Sequence, residues 1–481
     1  MLLPDFDTCY RAVQSRDPRF DGWFFTAVRT TGVYCRPSCP AITPRPGNVT
    51  FHPSAAAAQR AGFRACKRCR PDASPGSPEW DARGDLAGRA LRLIGDGVLD
   101  RDGVPGLAAR VGYSTRQVHR ALVAEVGAGP LALARAQRAQ TARVLLETTD
   151  LPVTDVAFAA GFASVRQFND TVRTVFATTP SGLRARRRHA ASPEPGVVAL
   201  RLPYREPIQL RTVLDFLGAH AVPGVESYAD GAFSRVLHAP GGPALVSLAA
   251  GTDGAVRCRV RLHDLRDLVA VVARVRRLLD LDADPVAVDT VLGDEPALSP
   301  LVHKRPGIRS PGAVDGFETA VRTIVGQQVS VRGARTVLGR IVADLVAPAF
   351  DGWRLFPTSD ALASADPATL PMPRARGRSI VAVAGAFARG AIRLDPGVDR
   401  AAARAELLAL PGVGPWTADY LLMRAAGDPD VLLASDLIVR RAADDLGLDL
   451  GGGRPSWSPW RSYATYHLWA HRYADVWSVK P

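Results

Sequence analysis

The sequence predicts a multidomain protein that is mainly α-helical with α+β parts. Its 481 residues are too many for one domain, since domains commonly have about 100–200 residues. Two stretches rich in Pro, Gly and Ser, 71–78 and 190–196, are typical of linkers. Apolar residues recur with helical spacing between these stretches and again from about Gly316, whereas a mixed pattern separates the two helical parts. We therefore expect four units, at 1–75, 82–188, 196–295 and 300–481.

Composition and charge indicate packed domains with a polyanionic partner. Hydrophobic residues make up 47% and charged residues 22%, which excludes extensive disorder and collagen-like structure. The net charge of +13 favours nucleic acid as a partner. Residues 1–190 hold 27 basic and 16 acidic residues, so most of the excess lies in the N-terminal part. A biased genome also explains part of the arginine content, because only Lys67, Lys304 and Lys480 are lysines.

The start of the chain and its hydropathy favour a cytoplasmic, nucleoid-associated protein without a membrane partner. Residues 1–7 are acidic and lack the apolar core of a signal peptide. No run of about 18 apolar residues predicts a membrane span. In a reducing compartment, clustered cysteines indicate metal or redox chemistry before disulfides.

Four cysteines in the first unit form two close pairs, Cys35 with Cys39 and Cys66 with Cys69. This spacing is typical of a tetrahedral four-cysteine zinc site. A purely structural zinc ion is one interpretation. The other interpretation is that one of the thiols is a nucleophile, because zinc keeps thiols ionised and a thiolate can attack the carbon of an alkyl group. Spacing alone does not say which of the four thiols would react. Nearby basic side chains would attract a DNA phosphate, namely Arg36, Lys67, Arg68 and Arg70.

Residues 28–39 (VRTTGVYCRPSC) and 61–69 (AGFRACKRC) resemble the N-terminal zinc domain of the Ada family, over about 5–72. In that family the first cysteine of the first pair irreversibly takes a methyl group from a DNA methylphosphotriester, and the methylated protein activates repair genes. The resemblance therefore implies that Cys35 is the methyl acceptor. The second methyltransferase centre of Ada, with its Pro-Cys-His-Arg sequence, has no counterpart here. Direct repair of O6-methylguanine is not expected, and Cys9 and Cys258 are predicted to be core or surface residues.

The second unit contains a weak internal repeat, in which GYSTRQV at 112–118 recurs as GFASVRQF at 161–168. Each copy predicts a helix, a Gly turn, a Ser that caps a second helix, and an exposed polar face that could contact DNA. Joined by a long helical segment at 130–148, the copies resemble the twin helix-turn-helix domain of the AraC family, over about 86–188. The expected DNA-binding residues are Arg116, Gln117, His119, Arg120, Arg166, Gln167, Asn169 and Arg173.

A Gly-rich turn, LPGVGPWTADY at 410–420, joins two helical segments in the last unit. Its glycines allow a phosphate to approach the backbone, and the helix that begins at Pro415 favours an anion at its N-terminus. The predicted DNA-binding positions are Gly412, Gly414 and Thr417. Asp436 follows about twenty residues later at the start of another helix. An N-cap is the alternative interpretation of Asp436.

A hairpin followed at this distance by an Asp resembles the helix-hairpin-helix DNA glycosylases, and specifically the AlkA family, over about 196–475. Segments 305–309, 316–318, 324–330 and 459–469 support the resemblance, and 196–295 is similar to the family's α+β N-terminal domain. The resemblance implies that Asp436 is the catalytic carboxylate and that Gln328 fills the gap left by a flipped nucleotide. The implied base pocket consists of Trp416, Tyr420 and Trp469, which could instead belong to the core.

These residues suit hydrolysis of the glycosidic bond of alkylated bases such as 3-methyladenine. A cationic base is already activated for departure, so a carboxylate near the sugar and an aromatic pocket suffice. Trp416 occupies the position where bifunctional relatives carry a lysine, so we expect a monofunctional glycosylase. No cysteine follows Cys258, so an iron–sulfur cluster is not expected.

The combined expectation is a natural fusion of a suicidal methylphosphotriester methyltransferase and activator with a glycosylase of the DNA-3-methyladenine glycosylase II type. It requires one Zn²⁺, and its partners are alkylated double-stranded DNA, promoter DNA and RNA polymerase. Two alternatives stay open. The first is a transcription regulator whose glycosylase half is inactive and only binds DNA. The second is a glycosylase whose zinc domain merely adds affinity for DNA.

Overall fold

The computed structural model describes residues 5–16, 20, 24–37, 39, 41–66, 71, 85–95, 98–185, 196–251, 254–394, 398 and 400–472. Apart from Pro71 and Gly196, both predicted linkers lie outside the described residues. The chain folds into two compact units, one made of residues up to Leu200 with 239–242 and 260–273, and the other made of the rest. None of the described helices is both long and apolar enough to cross a membrane.

The first unit begins with a small sheet and two helices. In chain order these elements are α1 (Phe6–Gln14), β1 (Phe25–Val28), β2 (Val33–Cys35), β3 (Val49–His52), α2 (Ala55–Arg60) and β4 (Arg64–Ala65). The sheet order is β3-β1-β2-β4, in which β1 pairs antiparallel with both neighbours and β2 pairs parallel with β4. Small clusters around Phe24 and Tyr34 form its core.

Beyond the sheet, the described residues of this unit up to Ala185 form helices, as the periodicity predicts. They are α3 (Asp85–Gly95), α4 (Val98–Val111), α5 (Thr115–Val126), α6 (Pro130–Thr148), α7 (Val153–Ala159), α8 (Val165–Phe176) and α9 (Pro180–Arg184). The two repeat copies are α4–α5 and α7–α8. Gly112 and Gly161 turn the chain between their helices at φ +79° and +85°, values that glycine adopts readily. Ser114 and Ser164 cap α5 and α8, respectively.

The α+β part has β5 (Val197–Pro203), α10 (Leu210–Ala219), β6 (Glu226–Ala229), β7 (Ala232–Ala239), β8 (Gly242–Ala250) and β9 (Ala255–Leu262). The strands form a sheet in the order β5-β9-β8-β7-β6. In β9, Val256, Cys258 and Val260 are buried and the arginines between them are exposed, which is typical of a strand with one buried face.

The remaining chain is mainly helical and includes a two-stranded ladder that the sequence patterns did not predict. Its elements are α11 (Leu268–Leu278), α12 (Pro285–Gly293), α13 (Ser299–Lys304), α14 (Gly316–Gly326), α15 (Val331–Leu345), β10 (Pro348–Phe350), β11 (Trp353–Arg354), α16 (Ser359–Ala363), α17 (Arg374–Ala388), α18 (Arg400–Leu408), α19 (Pro415–Arg424), α20 (Leu437–Asp445) and α21 (Arg461–Arg472). The predicted multidomain, mainly α-helical architecture with α+β parts is confirmed.

Helix α19 packs between two large apolar clusters of the second unit. Ala418 and Leu421 belong to the cluster formed with α14, α15 and α17. Met423 belongs to the cluster formed with α20 and α21, against which Trp416 and Tyr420 also pack. Packing on two sides therefore fixes the orientation of α19. It also fixes the position of the turn that precedes the helix.

Candidate functional site

Three of the four predicted metal ligands converge beside the small sheet. Parallel pairing of Tyr34 with Ala65 brings the following residues, Cys35 and Cys66, side by side. The Cys39 N–H donates to the Arg36 carbonyl, which turns the chain back. The sulfur atoms of Cys35, Cys39 and Cys66 lie within 4.8 Å of one another.

These three thiols fit a zinc ion, which prefers four tetrahedral ligands that include thiolates. Cys69, the fourth predicted ligand, lies outside the described residues. The other two cysteines are in different surroundings, because burial raises the pKa of both Cys9 and Cys258 to about 12. A buried thiol with a raised pKa is a poor nucleophile. The thiols of the cysteine cluster are therefore the better candidates for a reactive group.

The predicted recognition helices differ in how their polar side chains are used. In α5, Arg116, His119 and Arg120 are exposed. Gln117 is also exposed, but its Oε1 accepts from the backbone N–H of Ser114 at 3.1 Å as part of a capping box. The ring of His119 lies against Gly129, where an added Cβ would be 2.7 Å from Nε2.

In α8, Arg166 and Arg173 are exposed, whereas Gln167 and Asn169 are half-buried. Phe168 is completely buried. The two arginines are therefore the more accessible of the predicted contacts on the second recognition helix.

The hairpin between α18 and α19 leads directly into the N-terminus of a helix, as the sequence predicts. Gly412 has φ +82°, and Gly414 directly precedes α19, which begins with Pro415. Thr417 is buried and accepts a hydrogen bond from Gln327 Nε2 at 3.0 Å. Any contact of Thr417 with DNA would therefore involve its backbone N–H, one of the donors that a helix leaves unpaired in its first turn.

Gln327, which the sequence patterns did not single out, connects the hairpin to the α14–α15 turn. Its Nε2 also donates to the Gly412 carbonyl at 3.0 Å. The neighbouring Gln328 is exposed and has φ +58°, an uncommon conformation for a residue with a side chain. Val329 and Val331 beside it are exposed apolar residues. The turn thus presents one amide and two apolar side chains to solvent.

Asp436 caps α20 and is also fixed by two indole groups. Its Oδ1 accepts from the N–H groups of Ile438 and Val439 at 2.9 and 3.0 Å. Trp469 Nε1 donates to the same oxygen at 3.0 Å, and Trp416 Nε1 donates to Oδ2 at 3.0 Å. The N-cap interpretation of Asp436 is correct, and the same carboxylate faces the predicted aromatic pocket.

The three predicted pocket residues form one aromatic cluster. Trp416 stacks on Tyr420 with ring centroids 5.2 Å apart and an interplanar angle of 16°, and Tyr420 lies 6.3 Å from Trp469. Trp469 and Tyr466 are buried, whereas Trp416 and Tyr420 are half-buried. The outer two rings therefore keep surface that a flat ligand could cover.

Arg424 and Tyr466 also belong to this cluster and were not predicted. Tyr466 packs edge-on against Trp469 at 5.1 Å. Arg424 Nη1 donates to the Tyr420 hydroxyl at 3.0 Å. One sequence signal was available for Arg424, because it lies four residues after Tyr420 and eight after Trp416 on one helix.

Three family models match consecutive parts of the chain. The model described as the metal binding domain of Ada matches residues 8–72. A helix-turn-helix domain model matches 107–186, and the AlkA N-terminal domain model matches 199–315. The matches fall on the cysteine cluster, the two helix-turn-helix copies and the α+β part, respectively.

Curated relatives match the two halves separately and the chain as a whole. The chain is 34% identical over 285 residues to DNA-3-methyladenine glycosylase 2 of Escherichia coli, covering 57% of this chain and 97% of that protein. It is 37% identical over 156 residues to the bifunctional transcriptional activator/DNA repair enzyme Ada of Escherichia coli, covering 32% of this chain and 42% of that protein. It is 56% identical over 477 residues to the probable bifunctional transcriptional activator/DNA repair enzyme AlkA of Mycobacterium tuberculosis, covering 97% and 96% of the two chains. The predicted resemblances are confirmed, and the chain belongs to the family of bifunctional transcriptional activator/DNA repair enzymes that join an Ada-type half to an AlkA-type half.

Proposed function

We propose that the chain hydrolyses alkylated bases such as 3-methyladenine from DNA and takes a methyl group from DNA methylphosphotriesters on Cys35. The observation that carries the first activity is the Asp436 carboxylate, which Trp416 and Trp469 fix within an aromatic cluster. The observation that carries the second is the convergence of Cys35 with Cys39 and Cys66.

For base release, the damaged nucleotide leaves the duplex stack, and its cationic base covers the accessible surface of Trp416. Gln328 fills the gap in the duplex, and the hairpin backbone at Gly412 and Gly414 holds a phosphate. The C1′–N bond breaks with its electron pair going to the base. The Asp436 carboxylate stabilises the positive sugar that remains. Water adds to C1′ and loses a proton, which completes the hydrolysis.

The strand stays intact in this reaction. Strand cleavage by a bifunctional glycosylase uses an amine that bonds covalently to C1′. The hairpin has Trp416 at that position, and its ring nitrogen is already donating to Asp436.

For methyl transfer, the Cys35 sulfur attacks the methyl carbon of a phosphotriester. The S–C bond forms as the O–C bond breaks, and its electron pair stays on the phosphate oxygen, which regenerates a phosphodiester anion. A zinc ion bound by Cys35, Cys39, Cys66 and Cys69 would keep the sulfurs deprotonated. The thioether at Cys35 is stable, so each chain accepts one methyl group.

The twin helix-turn-helix region would then bind promoter DNA and recruit RNA polymerase, in the cytoplasm at the nucleoid. The proposed domain boundaries are 1–75, 82–188, 196–295 and 300–481. The match of the AlkA N-terminal model up to residue 315 supports assigning the segment after 196 to the glycosylase half.

Incubation of the full chain with DNA carrying radiolabelled methyl groups tests both activities in one tube. We expect label on the protein, lost on Cys35→Ala substitution, and free 3-methyladenine in solution. Label without free base would support the regulator with an inactive glycosylase half. Free base without label would support a glycosylase whose zinc domain only adds affinity. Strand cleavage without added base or heat would contradict monofunctional chemistry.

A further inference from the structure

A positive charge lies at the inner end of the aromatic cluster. Arg424 is the last residue of α19, and its Cζ lies 5.1 Å from the ring centroid of Phe216 and 5.8 Å from that of Tyr420. Nη1 donates to the Tyr420 hydroxyl and Nη2 donates to the Gly312 carbonyl at 3.3 Å. In the part of the chain that the structure describes, its partners are thus rings, a hydroxyl and a carbonyl rather than a carboxylate.

The cluster therefore has a negative group at one end and a positive group at the other. Trp416, Tyr420 and Arg424 are spaced four residues apart on α19, so they follow one another along the same side of the helix. Trp416 contacts the Asp436 carboxylate at one end, and Tyr420 contacts the guanidinium at the other. A base that covers the free surface of Trp416 therefore lies beside the negative group, and the positive group lies beyond Tyr420.

The guanidinium keeps its charge at every relevant pH, so its effect depends on the charge of the base. When the C1′–N bond breaks, the electron pair leaves with the base. A cationic base becomes neutral, whereas a neutral base becomes an anion until it takes a proton from the attacking water. A nearby positive group opposes binding of the cation and stabilises the developing anion.

We propose that Arg424 is a specificity-determining residue, which favours release of neutral damaged bases over cationic ones. The proposal rests on the glycosylase function proposed above. At about 10–15 Å and an effective dielectric constant near 20, one charge should change the ratio of the two rates by roughly 5- to 15-fold. The ratio is informative because a general loss of activity lowers both rates by the same factor, which cancels in the ratio.

The test is single-turnover base release by the full chain from two duplexes, one with 7-methylguanine, which is cationic, and one with hypoxanthine, which is neutral. Arg424→Met should lower the rate of hypoxanthine release relative to 7-methylguanine release by roughly 5- to 15-fold. Arg424→Lys retains the charge and should retain most of the ratio. Tyr420→Phe removes only the hydroxyl that Arg424 contacts and should also retain the ratio.

Arg404→Met is the matched control, because it also removes a positive charge next to α19. Arg404 lies on α18 and pairs with Asp419 of α19. It should leave the ratio unchanged. Thermal unfolding of each variant identifies those that fail to fold, and Arg424→Gln, which can still donate to Tyr420, replaces the Met variant in that case. An unchanged ratio in a folded, uncharged variant would overturn the proposal, as would an equal loss of both rates.

Two further outcomes separate this proposal from the function on which it rests. Release of 7-methylguanine but no hypoxanthine by the unsubstituted chain would overturn the role of Arg424 and leave the glycosylase function intact. Release of neither base would contradict the glycosylase function itself.

Discussion

The most instructive single residue is Asp436, whose carboxylate has a structural role and the chemical role proposed above. Two backbone N–H groups of α20 and two indole N–H groups share its oxygens. Four donors hold the negative charge in one place before any substrate binds. Such preorganisation is the condition under which a charge stabilises a transition state without rearrangement.

Asp436→Asn should separate these two roles. Asparagine caps helices about as well as aspartate, so α20 should keep its stability, whereas the negative charge is lost. We expect release of 3-methyladenine to fall by at least about a hundredfold, since removing one electrostatic group from an active site commonly has such an effect. Base release is measured alongside DNA binding and Cys35 methylation, both of which should survive.

Asp315→Asn provides the control, because Asp315 caps α14 through the same type of hydrogen bond. It should leave base release unchanged. If Asp436→Asn released 3-methyladenine at the normal rate, the assignment of the carboxylate would be wrong.

At the level of elements, the hairpin before α19 depends on one glycine more than on the other. An added Cβ at Gly412 would lie 2.6 Å from the Ser379 hydroxyl, and φ there is +82°. Gly414 has φ −92° and open space around the position of a Cβ. We expect Gly412→Ala to lower the free energy of unfolding by about 1–3 kcal/mol and Gly414→Ala to change it by less than about 0.5 kcal/mol.

Thermal or urea unfolding of the two variants checks this expectation, and titration with abasic-site DNA shows whether the strained hairpin also binds more weakly. Equal stability of the variants would mean that the turn relaxes around a Cβ at position 412.

The zinc-binding element should depend on metal to fold, whereas the glycosylase should not. Its described residues form small apolar clusters, one of which consists largely of the cysteines themselves. In so small a unit, metal binding contributes directly to the free energy of folding. Chelation should therefore abolish methyl acceptance and leave base release intact. Loss of both activities at the same rate would show that the two halves are not independent.

Signals that lie close together in the sequence predicted their elements well, and the structure brings the residues of each signal together. The cysteine pairs, the capping serines of the repeat and the hairpin with Asp436 each occupy a short segment with a recognisable spacing. Contacts between distant segments could not be predicted in this way. Gln327 contacts Gly412, and Arg424 contacts Phe216, only because tertiary packing joins separate helices. A single sequence holds no periodic signal for such pairs.

For the molecule as a whole, the distribution of charge connects repair to regulation. Residues 1–190 carry 27 basic and 16 acidic residues, so the half that contains Cys35 is the strongly positive one. Its attraction to DNA is sensitive to any change in charge close to the phosphates. Methylation at Cys35, as proposed above, would be such a change, because it would convert a thiolate to an uncharged thioether.

Methylated protein should therefore bind its promoter more tightly than unmodified protein. The modification removes one negative charge, whereas the adjacent basic residues keep theirs, namely Arg36, Lys67, Arg68 and Arg70. At about 4–10 Å from phosphates and an intermediate dielectric constant, the loss of repulsion corresponds to about 1–3 kcal/mol, or one to two decades in affinity.

Titration of promoter DNA with both forms, at two salt concentrations, measures this difference. Higher salt should reduce it through screening. A Cys258→Ala chain, which lacks a buried cysteine of the α+β part, should show the same difference as the unsubstituted chain. Equal affinities of the methylated and unmodified forms at low salt would limit Cys35 to repair, because a charge that does not change the affinity for DNA cannot switch the promoter.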